Sequence, residues 1–104
     1  MTRVCRADLL IPGRGVAALV EDRQVAIFLL PTGELCAIGN RDPFSGANVL
    51  SRGIVGSKGD VVTVASPVYK QRFDLRTGVC VDDESVRVPV FRTRVADGWV
   101  EVSC

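Results

Sequence analysis

Short apolar runs, each bounded by polar turn residues, recur along the chain. The longest run, residues 25–30, is apolar at every position, which is typical of a strand buried on both faces. The neighbouring segments 15–20 and 34–38 are joined to it by a polar turn at 21–23 and a Pro-Thr-Gly turn at 31–33. This part of the sequence therefore predicts a meander of antiparallel hairpins.

The second half of the chain continues the strand pattern. Residues 61–65 are mostly β-branched, and Asp97-Gly98 is a hairpin signal between segments 86–95 and 99–103. Residues 67–75 predict an extended arm that returns through 79–81. No segment has the period of an amphipathic helix, although one helical turn near 47–51 is compatible with the sequence. We predict one all-β domain over residues 1–104, a sandwich or barrel of about nine or ten short strands.

Composition narrows the function classes. The chain has 104 residues, and its 13 basic residues nearly balance 12 acidic ones. This balance lacks the basic excess that nucleic-acid binding favours. The longest apolar run is far shorter than the roughly 20 residues that span a bilayer, and the first residues have no apolar signal segment. We therefore expect a cytoplasmic protein with no nucleic-acid or membrane partner.

Histidine is absent from the sequence, which removes the commonest metal ligand and the commonest general base. Catalytic Ser-His-Asp and Cys-His arrangements are thereby excluded. The four cysteines form no C-x-x-C pair, so a zinc knuckle or a thioredoxin-type site is not indicated. Cys36 and Cys80 are predicted to be small buried side chains, and Cys104 an exposed one.

Two segments carry a specific pattern, RDPFSGANVL at 41–50 and SPVYKQRFDLRTG at 66–78. Rieske domains hold their cluster with C-x-H-x-G-x-x-L in one loop and C-P-x-H-G-x-x-F-(D/N)-x-x-T-G in another. The first motif is matched by Gly46 and the residues up to Leu50. The second is matched by Pro67, Phe73, Asp74, Thr77 and Gly78. Two such matches in this order resemble a Rieske domain.

The ligand positions of these motifs hold other residues. Asp42 and Ser66 stand where the two cysteines would be, Phe44 and Tyr69 where the two histidines would be, and Lys70 replaces the following glycine. A Rieske [2Fe–2S] centre needs two thiolates and two imidazoles. We interpret the four positions as vacated, and we predict no catalytic, cofactor-binding or metal-binding residue in this chain.

The whole pattern resembles the small subunit of assimilatory NAD(P)H nitrite reductase, a family with a Rieske-like domain that lacks cluster ligands. The shared segments have the form DPFSGA–VLSRGIVG and SP–YKQ–FDL–TG–C–DD, and they extend over nearly the whole chain. The resemblance implies an antiparallel β-sandwich or barrel with two protruding loops. It also implies a large partner subunit that carries FAD, an iron–sulfur cluster and siroheme and reduces nitrite to ammonium. This chain would then be a non-catalytic subunit that supports or regulates the large one.

Several residues of the two loops have more than one interpretation. Asp42 and Tyr69 could be an acid–base pair beside a partner's active site, but a turn cap at Asp42 and a Tyr69 packed in the vacated pocket are favoured. Phe44 and Tyr69 either anchor a partner or fill that pocket. The nearby cations, Arg41 included, either attract an acidic partner or are scattered solvated charges. The predicted docking residues are Phe44, Arg52, Lys58, Tyr69, Lys70 and Arg72.

The glycine-rich insert at 52–60 faintly resembles a phosphate-binding loop. It lacks the G-x-x-x-x-G-K-[ST] order, and no helix follows it. We interpret it as a mobile loop used in docking.

Two other functions stay open from the sequence. One is a Rieske-type ferredoxin that transfers electrons itself, against which the missing ligands argue. The other is a stand-alone interaction module outside nitrogen metabolism.

Overall fold

The computed structural model describes residues 1–103, so the prediction for Cys104 lies outside the described residues. These residues form nine strands and two 3₁₀ turns, Ala7–Leu9 and Leu50–Arg52. No helix among them is long and apolar enough to cross a membrane. The all-β prediction is confirmed. The strands are β1 Thr2–Arg6, β2 Val16–Val20, β3 Arg23–Leu29, β4 Leu35–Gly39, β5 Ile54–Lys58, β6 Val61–Ala65, β7 Arg72–Asp74, β8 Val90–Ala96 and β9 Trp99–Ser103.

The strands form two antiparallel sheets. The larger sheet has the order β1–β9–β8–β4–β3–β2, and its two edge strands, β1 and β2, contact each other, so that the sheet nearly closes into a barrel. The smaller sheet has the order β5–β6–β7. The two loops with the Rieske-type pattern follow β4 and β6, and both return towards the small sheet.

Strand β3 has the predicted burial on both faces. Val25 and Ile27 belong to a cluster inside the barrel, together with Val100 and Val102 of β9. The alternate residues, Ala26 and Phe28, belong to a second cluster between the two sheets. A strand alternates its side chains between two faces, so a continuous apolar run is what this central position requires.

Two strands lie where the sequence pattern gave no strand signal. The insert at 52–60 is not a mobile loop, because β5 pairs with β6 from Ile54↔Ala65 to Lys58↔Val61. The segment contains glycines and polar residues, which are depleted in sheets, so its composition does not indicate a strand. Strand β1 pairs with β9 through a register shift between Arg3 and Cys5, which breaks the alternation that would have revealed it.

The predicted extended arm at 67–75 is correct only in part. Residues 67–69 form a turn, and only Arg72–Asp74 form a strand. The returning segment 79–81 makes isolated bridges, Phe73↔Cys80 and Val79↔Arg87.

Two of the cysteines are buried as predicted. Cys36 and Cys80 lie in the cluster between the sheets, and Cys5 is half-buried. Burial is the main reason that the pKa of Cys36 rises to about 11, so its thiol stays protonated at neutral pH.

Candidate docking site at the two ligand-type loops

Three loops repeat one hydrogen-bond plan, and they begin at Asp42, Ser66 and Asp74. In each loop the backbone amide of the first residue donates a hydrogen bond to the carbonyl of the residue five positions later. The amide of the residue four positions later donates a hydrogen bond back to the carbonyl of the first residue. The N···O distances lie between 2.7 and 3.0 Å. A side-chain oxygen of the first residue also accepts the amide two positions later, at 2.9, 3.3 and 2.8 Å respectively. Two backbone hydrogen bonds and one side-chain acceptor oxygen therefore fix the shape of each of the three loops.

The fifth residue of each loop has a left-handed backbone. Its φ is +78° at Gly46, +65° at Lys70 and +77° at Gly78. A Cβ at Gly78 would lie 2.1 Å from the Val88 carbonyl oxygen, so only glycine fits there. Lys70 therefore holds a glycine-type conformation, which costs a non-glycine residue about 1 kcal/mol or more.

Asp42 and Ser66, the residues at the two cysteine-type positions, are buried and bonded to each other. Ser66 Oγ donates to Asp42 Oδ2 at 2.6 Å, while Asp42 Oδ1 accepts the Phe44 amide. Burial opposes ionisation of Asp42, but hydrogen bonds from Ser66, the Phe44 amide and Ser45 outweigh it and lower the pKa of this carboxyl. The predicted turn cap at Asp42 is confirmed, and its carboxylate also joins the two loops.

The two histidine-type positions are more accessible and differ from each other. Phe44 is half-buried against the core, and its ring centroid lies 6.3 Å from that of Phe73. Tyr69 is 61% exposed and follows Val68, which is 44% exposed. The interpretation in which Tyr69 packs into the vacated pocket is wrong, because the turn at 67–69 carries its side chain outward. Phe44 occupies the space between the loop and Phe73 instead.

The structure brings most, but not all, of the predicted docking cations to this end of the domain. Lys70 follows Tyr69 in the same loop, and Arg72 begins β7 just after it. Arg72 is engaged by Asp82, with Nη2 2.8 Å from Oδ1, and this hydrogen bond is the main reason that the pKa of Arg72 is raised. Arg52 ends the 3₁₀ turn that leads into β5, whose first residue, Ile54, pairs with Ala65 immediately before the second loop. Lys58 lies at the opposite end of β5, where it lines a cleft of about 330 Å³ with Asp74 and Glu84 and contributes to the lowered pKa of Asp82, the partner of Arg72.

The side chains at the four ligand positions do not fit a Rieske centre. One pair is a carboxylate and a hydroxyl already bonded to each other, and the other pair is two aromatic rings. The sequence supplies no imidazole, and within residues 1–103 no three His, Cys, Asp or Glu side chains converge as a metal site would need.

The repeated loop plan was not expected from the sequence, although a signal for it exists. An acceptor residue precedes glycine by four positions in Asp42…Gly46 and in Asp74…Gly78. The third member escapes this pattern because lysine occupies the glycine position.

The near-closed barrel, the small second sheet and these two loops define a Rieske-like domain. The sequence matches the Rieske-like [2Fe-2S] domain family over residues 1–103. It is 43% identical over 100 residues to the nitrite reductase (NADH) small subunit of Escherichia coli strain K12, which covers 95% of this chain and 93% of that protein. The chain belongs to the nitrite reductase (NADH) small-subunit family.

A solved structure agrees with this placement. The crystal structure of a protein from Mycobacterium tuberculosis, described as an NADH-dependent nitrite reductase small subunit, superposes with a TM-score of 0.94 at 52% identity. The match covers 97% of this chain and 91% of that one. A longer protein is also similar. The nitrite reductase [NAD(P)H] large subunit of Klebsiella oxytoca is 37% identical over 99 residues, which are 95% of this chain but 10% of that protein.

Proposed function

We propose that this chain is the non-catalytic small subunit of a cytoplasmic NAD(P)H-dependent nitrite reductase and carries no [2Fe–2S] cluster itself. In this proposal a large subunit, holding FAD, an iron–sulfur cluster and siroheme, reduces nitrite to ammonium during nitrate assimilation. The observation that carries the proposal is the Asp42–Ser66 hydrogen bond at the two cysteine-type positions, in a chain of the small-subunit family. The same observation disfavours a Rieske-type ferredoxin.

The docking face we propose is the tip formed by the two loops. Tyr69 and Val68 are exposed side chains on a loop that two backbone hydrogen bonds close, and tyrosine is enriched among residues that dominate binding energy. Lys70 retains a strained conformation beside them. Glu21, Asp22 and Asp97 in other turns also have positive φ, so the docking role of the Lys70 side chain rests on its position beside Tyr69 and not on the strain alone. Phe44, in the first loop, packs on Phe73 and the core. Arg52 and Arg72 extend the surface on the chain segments next to the second loop, and Lys58 contributes only where an interface extends along β5.

The Klebsiella oxytoca protein supports association with a large subunit. There, a segment similar to this chain is part of a polypeptide described as the large subunit. A covalent link gives two domains a high effective concentration, so a separate chain needs an interface of its own to stay associated. An exposed aromatic tip provides such an interface.

Matched truncations test the docking face. Tyr69→Ala should weaken association with the purified large subunit by about 2 kcal/mol, near thirtyfold, and leave the melting temperature unchanged, because the ring is mostly exposed. Phe44→Ala should instead lower stability by about 2 kcal/mol, since its ring packs on the core. Wild-type affinity in Tyr69→Ala would reject the tip as the docking face. The subunit assignment would survive that result, but not a failure of the wild-type protein to bind.

The absence of a cluster has a separate test. Protein purified without oxygen should be colourless and iron-free, and it should not reduce nitrite with NADH or NADPH. About two iron atoms per chain with a Rieske spectrum would restore the ferredoxin alternative.

A further inference from the structure

The outer surface of strands β1, β9 and β8 concentrates arginine. Cross-strand pairing sets Arg3 and Arg94 on either side of Glu101, and it sets Arg6 beside Trp99. Val100 and Val102 alternate with these β9 residues and are fully buried, so Trp99 and Glu101 face away from the barrel interior. We call this surface the arginine face. It consists of Arg3, Arg6, Arg92, Arg94, Trp99 and Glu101.

The arginine face is ordered by contacts among its own side chains. Glu101 is nearly buried, accepts a hydrogen bond from Arg94 Nε and lies 3.8 Å from Arg3 Nε. The guanidinium carbons of Arg3 and Arg6 lie 5.4 and 5.6 Å from the centroid of the Trp99 ring, within cation–π range. The side chains of Arg3, Arg6 and Arg94 are nevertheless 54%, 49% and 61% exposed. Their donors are thus held in place and still accessible.

Positive charge on this face exceeds what its own carboxylates neutralise. Glu101 is already shared between two arginines, and Asp8 lies 3.6 Å from Arg6. Arg92 is exposed, and no ion pair to it occurs within residues 1–103. The full chain is almost neutral, with a net charge of +1, so four arginines on one three-stranded surface represent a segregation of charge.

The Trp99 end of the arginine face is distant from the loop tip, whereas Arg92 lies two residues after the start of β8 and therefore nearer to it. The Gly39 amide donates a hydrogen bond to the Pro89 carbonyl. Gly39 is the last residue of β4, before the first loop, and Pro89 immediately precedes β8, so this pair marks the end of β8 that lies nearest the tip. Trp99 pairs with Ala96 at the other end of β8. At about 3.3 Å per residue this places Trp99 about 20 Å from the tip end of the strand.

We propose that the arginine face binds an acidic protein segment of the large subunit, so that the small subunit contacts its partner at two surfaces. This inference rests on the proposed function. Arginine and tryptophan are the side chains most enriched at the energetic centres of interfaces. The planar guanidinium fork suits a carboxylate, and its arrangement here around Glu101 and Trp99 reduces the ordering that binding requires. A carboxylate-rich segment is complementary to this surplus of positive charge.

A double neutralisation tests the proposal without disturbing Glu101. Arg6→Gln with Arg92→Gln leaves both arginines that pair with Glu101 in place. Arg14→Gln with Arg87→Gln removes the same charge from exposed positions outside both surfaces. At low salt the first pair should weaken binding of the purified large subunit on the order of tenfold, mostly through slower association, and the control pair should bind like wild type. The difference should shrink at high salt, where charges are screened. Arg92→Glu alone should weaken binding as well.

The outcomes separate the two claims. If the wild type and both double variants bind the large subunit with the same affinity, the arginine face is rejected as a binding surface, while the proposed function stands. If wild type does not bind the large subunit, both claims fail. If the Arg6/Arg92 variant loses affinity for duplex DNA instead, with large-subunit binding unchanged, the face is a general polyanion site and the proposal is overturned. Thermal melts of each variant verify that the fold is intact.

Discussion

Ser66 Oγ donates a hydrogen bond to Asp42 Oδ2 at 2.6 Å, and this bond joins two loops that are 24 residues apart in sequence. It lies in a buried environment, and each partner also holds the amide two positions further along its own loop. The pair therefore fixes the position of one loop relative to the other, whereas the backbone fixes the shape within each loop.

Ser66→Ala should destabilise the protein by about 2 kcal/mol, because a buried carboxylate loses a hydrogen-bond donor. The free energy of unfolding in urea measures this. Ser85→Ala is the matched control, since Ser85 makes the same 2.6 Å bond to Asp83 in an exposed turn. Its transition midpoint should stay close to wild type. Equal effects of the two substitutions would show that burial of the Asp42–Ser66 pair has no energetic consequence.

Acid should weaken the contribution of Asp42. Its pKa is lowered in the folded protein, below the unfolded value of about 3.9. The resulting stabilisation is therefore fully present above about pH 5 and is lost as the pH falls through the folded pKa. We expect the stability difference between wild type and Asp42→Asn to be constant from about pH 7 to 5 and to narrow below about pH 4. A difference that persists unchanged to about pH 2.5 would contradict this. Asp60→Asn, in an exposed hairpin turn, serves as the control for general acid effects.

Lys70→Gly should stabilise the protein by about 1 kcal/mol, because glycine adopts the observed φ of +65° without strain. Lys70→Ala keeps the strain and should leave the stability near that of wild type. Both substitutions should weaken binding of the large subunit if the lysine side chain is used in docking. The reverse substitution at the equivalent position, Gly46→Ala, should cost about 1 kcal/mol, since space is available there and only φ is unfavourable. If Lys70→Gly destabilises the protein, the backbone of Lys70 is not strained in the way proposed.

The ligand set should be restorable, because the loops keep their shape through their own hydrogen bonds. Asp42→Cys, Phe44→His, Ser66→Cys and Tyr69→His, combined with Lys70→Gly, recreate the donors and the glycine of the Rieske pattern. We expect this variant to acquire about two iron atoms per chain after reconstitution, detected by iron analysis and electron paramagnetic resonance. The same set with Tyr69→Ala in place of histidine should not hold a cluster. If the variant with all five substitutions folds but binds no iron, the loops do not place the four side chains in the geometry that a cluster requires.

Much of the fold could be predicted because buried strands have a strong signal. Residues 25–30 had to be apolar on both faces, and β3 contributes to both core clusters. Strand β5 has one partner strand and is largely exposed, so its sequence is free to contain glycine and serine. Strand β1 interrupts its alternation at a bulge. Edge strands and bulges are set by pairing partners distant in sequence, which a local pattern does not contain.

The site was predictable in composition but not in orientation. The motif spacing located Asp42, Phe44, Ser66 and Tyr69, yet it did not distinguish the half-buried Phe44 from the exposed Tyr69. The two loops share one hydrogen-bond plan, but Phe44 is the third residue of its loop and packs against Phe73, whereas Tyr69 is the fourth residue of its loop and is mostly exposed. Nor did the spacing reveal that Lys58 lies at the far end of a hairpin, because β5 itself had no clear signal.

The three repeated loops also have an evolutionary consequence. Each closes through main-chain bonds and a single oxygen from its first residue, so its outline does not depend on a ligand to metal. The side chains of Phe44 and Tyr69 take no part in these bonds, so they can change one at a time without opening the loops. A lineage can lose a redox centre along such a path and adapt the same surface to recognition without passing through an unfolded ancestor.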